Sequence, residues 1–213
     1  MKRVSLIVSA VVITAMMFTS FVNPSTNEVT IGDQVWMAKN LNVEKFRNGD
    51  TIPHAKTKEE WEKAGENEQP AWCYYNNNPE NGDRYGKLYN WYAVNDPRGL
   101  APEGWHIPSD KEWKQLIENL GGEKVAGGKM KSTSGWNEDG NGTNESGFDG
   151  RPGGLRKTYG TFAFKGSTGY WWSSTESFDD RSALKRSLFY SKEITRSFGL
   201  EKRYGLSVRC IRN

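Results

Sequence analysis

The ten residues GWHIPSDKEW, at 104–113, gather His106, Asp110 and Glu112 between Trp105 and Trp113. A histidine beside two carboxylates is a general acid–base set if the three converge on one point. The same spacing has an architectural reading. Pro108 pushes Ile107 into extended geometry. Ser109 can then cap a helix, and Glu112, three residues on, completes a capping box. Asp110 falls in the first turn, where negative charge favours the helix dipole. Trp113, Leu116, Ile117 and Leu120 recur at i, i+3, i+4 and i+7, one apolar face, and Gly121-Gly122 suits the stop. Each residue thus has a local structural purpose. Trp105 is read as a core or boundary ring and His106 as a packed or hydrogen-bonded residue, not a catalytic one.

Three further groupings could carry chemistry. Cys73 and Cys210 fit no zinc spacing, and in an exported protein they are expected to form one disulfide. The loop-entropy model values such a long bridge at roughly 4–5 kcal/mol; two buried free thiols are the alternative. Asn137, Asp139, Asn141, Asn144 and Glu145 bring oxygen ligands together in a segment that would suit Ca²⁺. Phe148 stands where an EF-hand needs its bidentate glutamate, so the other reading is turn formation. Two glycosylation acceptor patterns, beginning at Asn141 and Asn144, overlap that loop. Trp171-Trp172 lie on a predicted strand, where neighbours face opposite sides. One ring would enter the core, and the other, with Trp136, would be free to stack on a sugar or be covered by loops. Phosphate loops, dinucleotide fingerprints, nucleophile elbows and HExxH are all absent from the sequence, and with only His54 and His106 a histidine-rich metal site is excluded.

The elements that must position these residues are legible in part. EVTIGDQVWM (28–37) predicts a hairpin turning at Gly32-Asp33. KTKEEWEKAGEN predicts a short surface helix with Thr57 as cap, Glu60 three residues on and Gly65 as stop. NNNPENGDRYG (76–86) predicts a loop, and GKLYNWYAVND suits a helix or a strand. The segment 127–154 predicts long loops. GYWWSSTES, ALKRSLFY, EITRSF and GLSVRCIRN predict four strands, the last with Leu206, Val208 and Cys210 on one face.

The whole chain sets the remaining bounds. Its 213 residues suit one domain. Lys2 and Arg3 precede an uncharged apolar run at 4–18, which reads as an export signal over 1–23. That run is shorter than the roughly 20 residues of a bilayer span; an uncleaved anchor is the alternative. Without Lys2 and Arg3, Lys plus Arg falls from 29 to 27 against 26 Asp plus Glu, so the net charge is near +1. Nucleic acid is therefore not the expected partner. Basic residues crowd the end of the chain, from Arg181 to Arg212, against only Glu193 and Glu201. They read either as the solvated face of strands or as a surface for an acidic polysaccharide. Nine each of Trp, Tyr and Phe, 23 Gly and a mean hydropathy of −0.79 predict a ring-built core joined by tight turns.

Six ordered motifs then become familiar: TIGDQVWMAKNLNVEKFRNGD, AWCYYNNN, YGKLYNWYAVNDPRGLAPEGWHIPSDKEW, TNESGFDGRPGGLR, GYWWSSTE and RYGLSVRCIRN. Together, over 27–213, they resemble the Fibrobacter succinogenes major paralogous domain, found on exported bacterial proteins. That domain is similar in outline to the C-type-lectin-like and formylglycine-generating-enzyme (sulfatase-modifying-factor) superfamily. The resemblance implies an α+β fold, with small helices packed on a twisted antiparallel sheet among long loops. The oxidase branch uses a close cysteine pair near its C-terminal end, where this chain has only Cys210. The calcium loops of sugar-binding lectins are absent too. The expected function is an exported, non-enzymatic binding module of the cell surface, periplasm or medium. It would recognise polysaccharide or a cell-surface protein through the 127–154 loops and an outward tryptophan, with no cofactor unless calcium. A formylglycine-generating-type oxidase working at Cys73 and Cys210, and a structural or adhesive surface protein, are the alternatives.

Overall fold

The computed structural model describes residues 27–213; the expected export signal lies outside the described residues. The chain opens with the hairpin β1 (Glu28–Ile31) and β2 (Gln34–Met37), turning at Gly32 with φ 63°. Helix α1 (Lys58–Glu66) starts at a Thr57–Glu60 capping box. It runs through Gly65 to Asn67, because Gly65 is where the helix packs on the Arg203 side chain. The segment expected to be a loop contains α2 (Glu80–Tyr85), entered from Pro79. The ambiguous GKLYNWYAVND is a strand and a helix in turn. After β3 (Trp72–Cys73), β4 (Leu88–Tyr89) pairs back on it and α3 (Trp91–Val94) follows. Asn90 divides the two, its side chain accepting from the Ala93 amide as an N-cap.

Strand β5 (Trp105–His106) leads into α4 (Asp110–Asn119), which begins at the expected Ser109–Glu112 capping box and buries Trp113, Leu116 and Ile117. The 127–154 region is not all loop, since α5 (Glu123–Met130) extends into it. The loop that follows lies directly on this helix. The Thr143 amide donates to Gly128 O, and a Cβ on Gly142 would fall 2.3 Å from that same oxygen. Glycine is what lets the two backbones meet.

Strands β6 (Gly153–Arg156), β7 (Phe162–Lys165), β8 (Thr168–Glu176), β9 (Ser182–Phe189) and β10 (Lys192–Glu201) form a sheet in the order β10-β9-β8-β6-β7. Its pairs are antiparallel except β6 with β8. The predicted fourth strand is shorter than expected. Leu206 and Ser207 make single bridges to Tyr89 and Trp171, and only β11 (Ile211–Arg212) pairs fully, in a second sheet ordered β1-β2-β11-β5. The result is a sheet-rich α+β fold with few, short helices. Among the described residues no helix is long and apolar enough to cross a membrane.

Both faces of the larger sheet are covered. One face carries Trp172, Leu155 and Tyr170 into a cluster with Tyr89, Trp91 and Val208. The other carries Trp171 and Leu188 into a cluster with Trp36, Trp113 and Phe148. Indole N–H groups tie the first of these cores to the backbone around it: Trp91 to Ser173 O, Trp172 to Tyr89 O and Trp72 to Ile52 O. A buried ring whose polar edge is satisfied contributes apolar burial without a desolvation cost.

Candidate functional site

The His106–Asp110–Glu112 set in GWHIPSDKEW forms no open acid–base site. Both ring nitrogens of His106 are engaged, Nε2 with Glu112 Oε1 at 2.6 Å and Nδ1 with Asn213 Oδ1 at 2.8 Å. Burial tends to raise the Glu112 carboxyl. Hydrogen bonds from the Ser109 amide and hydroxyl and from His106 outweigh it and hold the group below the usual carboxylate range. Glu112 is thus committed to the cap, and Trp105, Pro108 and Trp113 frame it.

The tryptophans expected to offer a stacking face do not. Trp171 and Trp172 are 1% and 0% exposed, because the sheet carries a core on each side; Trp136 is 5% exposed, its indole N–H on Ser132 Oγ. Two amide oxygens of the Asx-rich loop are spent internally. Asn141 Oδ1 accepts from the Trp136 amide and Asn144 Oδ1 from the Asp149 amide. Asp139 and Asn144 both adopt left-handed backbone, as turn residues do. Among the described residues no three of His, Cys, Asp and Glu gather in one cluster.

The disulfide expectation is corrected. Cys73 and Cys210 are both free and buried, in separate hydrophobic clusters. Burial pushes each thiol up to about 12, so neither is a thiolate at neutral pH.

The basic residues near the C-terminus are not one solvated face. Arg186 is buried against Asp110, Lys202 pairs with Glu176, Arg203 with Glu201 and Arg212 with Glu28. Lys185 is buried with no carboxylate partner among the described residues and is held by Ser187 and the rings of Tyr170 and Phe198. Arg209 is the most enclosed, at 1% exposure. The stretch 206–210 is buried on both sides, so while Leu206, Val208 and Cys210 enter one core, Arg209 enters the other.

Arg209 organises a polar centre that the sequence did not reveal. Its Nε and Nη2 donate to Asn40 Oδ1 at 3.0 and 2.7 Å, and its Nη1 donates to the carbonyls of Met37 and Phe148. The guanidinium lies 4.2 Å over the Phe148 ring. Asn40 Oδ1 also accepts from the Trp171 indole, while its Nδ2 donates to Tyr85 O. One amide thereby joins the segment before β11, the larger sheet and α2. Among the described residues, none of Arg209's hydrogen bonds goes to a carboxylate. Burial lowers its pKa to about 9, with Asp149 opposing that shift, and it is still a cation at neutral pH.

Above this centre lies a cavity of about 460 Å³. Lys39 and Asn40 line it from the segment after β2, Asp83 and Arg84 from α2, Asp149 and Arg151 from the loop before β6, and Arg209 from the irregular segment before β11. Gly86 ends α2 with φ 72°, and a Cβ there would fall 2.7 Å from Leu41 O, so glycine lets this wall close on the next. Asp149 has φ 49° and is gripped by Arg151 through Nε at 2.8 Å and Nη2 at 2.7 Å. Asn144, a residue of the expected calcium loop, instead fixes the Asp149 backbone. A second cavity, of about 550 Å³, shares Lys39, Asn40 and Asn42 and is otherwise more apolar, with Met37, Leu41, Val43, Pro102 and the half-buried Trp105. Neither cavity was anticipated, although Arg209 in LSVRC, a charge between apolar strand residues, was the available signal.

Neither a curated protein nor a solved structure matches this chain. The six motifs, the capping box and the final strand do coincide with a known family. The chain belongs to the Fibrobacter succinogenes major domain family, whose model matches residues 29–212.

Proposed function

We propose that this protein is an exported, non-enzymatic binding module, working at the cell surface or in the periplasm and recognising carbohydrate. The pair of adjoining cavities at the Lys39–Asn42 segment carries this reading. One is polar and charged and the other offers the Trp105 ring and aliphatic walls, a combination suited to a ligand with both hydroxyl-rich edges and apolar faces. Export is supported by Lys2 and Arg3 ahead of the apolar run at 4–18. The finer fold, a C-type-lectin-like one, is supported by the motif resemblance and by short helices set against a largely antiparallel sheet.

The test is retention on insoluble plant and envelope polysaccharides, together with a glycan array. Retention that weakens at least about tenfold in Trp105→Ala, with the thermal midpoint lowered only slightly, is the expected result. No retention on any polysaccharide removes the carbohydrate reading.

A further inference from the structure

We propose that the cavity above Arg209 is an oxyanion site: it takes a carboxylate, sulfate or phosphate group carried on a small polar ligand. This rests on the binding-module reading above and adds a charge requirement to it. Within carbohydrates it selects acidic saccharides over neutral ones.

The first observation is the unbalanced cation at the cavity's base. Arginine keeps its proton throughout the physiological range, and burying it without a partner is costly. Here the four recorded hydrogen bonds of Arg209 go to neutral oxygens, of Asn40, Met37 and Phe148. A guanidinium has five N–H donors, so one N–H of Nη2 has no acceptor among the described residues. Asp149, the nearest carboxylate to exert an effect, is already taken by Arg151.

The second observation is the rim. Lys39 and Arg84 are exposed, line the same cavity, and form no ion pair with any described residue. The lining therefore holds Lys39, Arg84, Arg151 and Arg209 against Asp83 and Asp149, a formal excess of two positive charges. A whole-chain charge near neutrality makes this local excess a property of the cavity. Concave walls of low dielectric concentrate such a field. Guanidinium groups match planar oxyanions through paired N–H donors. The cavity's 460 Å³ is in the range of small-ligand sites, so the anionic group arrives on a larger body.

The experiment follows the Nε–Hε resonances of Arg84, Arg151 and Arg209 by NMR in the purified protein. Sodium sulfate, sodium phosphate, glucuronate, galacturonate and neutral glucose are titrated separately at fixed ionic strength. The expected result is a saturable shift of these resonances with at least one anion and none with glucose. Affinity should fall severalfold between about 50 and 200 mM sodium chloride. Uronate binding points to a carboxylate ligand, and sulfate or phosphate binding alone to a sulfated or phosphorylated one. The double substitution Lys39→Gln with Arg84→Gln should weaken binding at least about tenfold and leave the thermal midpoint unchanged, since both side chains are exposed.

The proposal is overturned if no anion shifts the three arginine resonances at concentrations up to about 100 mM, beyond the millimolar Kd range. It is equally overturned if glucose shifts them as strongly as the uronates do. Polysaccharide retention without anion binding leaves the binding-module reading standing and removes this inference. Anion binding without polysaccharide retention does the reverse for the carbohydrate reading.

Discussion

Replacing Asp110 by asparagine tests whether charge ties α4 to the larger sheet. Arg186 on β9 is 2% exposed and Asp110 8%, with Nη2 donating to Oδ1 at 2.6 Å. Arg186 Nε has no acceptor among the described residues, so the contact to Asp110 is the guanidinium's main compensation. Lys114 also reaches Asp110, at 3.0 Å, but its side chain is 64% exposed, and an exposed i,i+4 pair contributes only about 0.3–0.5 kcal/mol. Removing one partner of a buried pair costs about 3–5 kcal/mol. Asparagine keeps an acceptor oxygen in place, which sets the expectation at the lower end, about 3–4 kcal/mol with the lost helix-dipole interaction included. For a chain of this size, about 2–4 °C of midpoint per kcal/mol gives a fall of roughly 6–16 °C. Urea denaturation followed by tryptophan fluorescence measures the free energy, and a thermal melt the midpoint. Adding Arg186→Met should recover most of the loss, because apolar replacement of both partners is often neutral. A loss below about 1 kcal/mol for Asp110→Asn refutes the reasoning. So does a double variant no more stable than the single one.

Two further outcomes follow from burial. In the native protein neither Cys73 nor Cys210 should react with a disulfide reagent at neutral pH, and both should react in denaturant. The intact mass should carry both thiol hydrogens, and a mass short of two hydrogens would restore the disulfide. Lys185 gives a pH signature. Burial lowers its folded-state value from 10.5 to about 8, so between those values the unfolded chain binds more protons. Stability contributed at this site therefore rises as pH increases from about 8 to 10.5. The difference between wild type and Lys185→Met should follow that slope, and a flat difference would contradict the assignment.

Local chemistry was legible in the sequence wherever it was self-sufficient. Both capping boxes, the Gly32-Asp33 hairpin and the apolar face of α4 follow from neighbours in sequence. Helix α2 was hidden because NNNPENGDRYG is rich in turn formers. It forms because Asn78 Oδ1 receives the Glu80 amide and Gly82 sits tight against the Tyr74 ring, a tertiary contact. Strands β6 and β7 were missed for a related reason: Gly153 and Gly154 read as loop residues until the partner strands are known. Trp171 and Trp172 were read through strand alternation, which gave their opposite directions correctly but not a core on both faces. The cysteines were paired by their expected compartment, whereas the fold places them in different clusters. The polar centre required residues 40, 84, 149 and 209 to meet, and nothing in their sequence spacing foretells that.

The position of β11 has a consequence for how the chain is made. Ile211 pairs with Trp36 on one side and His106 on the other, so the smaller sheet has a gap at its middle until the last residues arrive. Leu206 and Ser207 likewise bridge Tyr89 and Trp171. The β1–β2 hairpin and β5 thus share no sheet until β11 joins them, although the larger sheet is built entirely from residues 153–201. The chain's early hairpin and helices wait as separate, aromatic-rich pieces, a state that invites association with other chains. Closing the smaller sheet therefore comes late, after its sequence-distant partners have met. Loss of Ile211 and Arg212 would then act less like trimming an edge than like withdrawing a keystone.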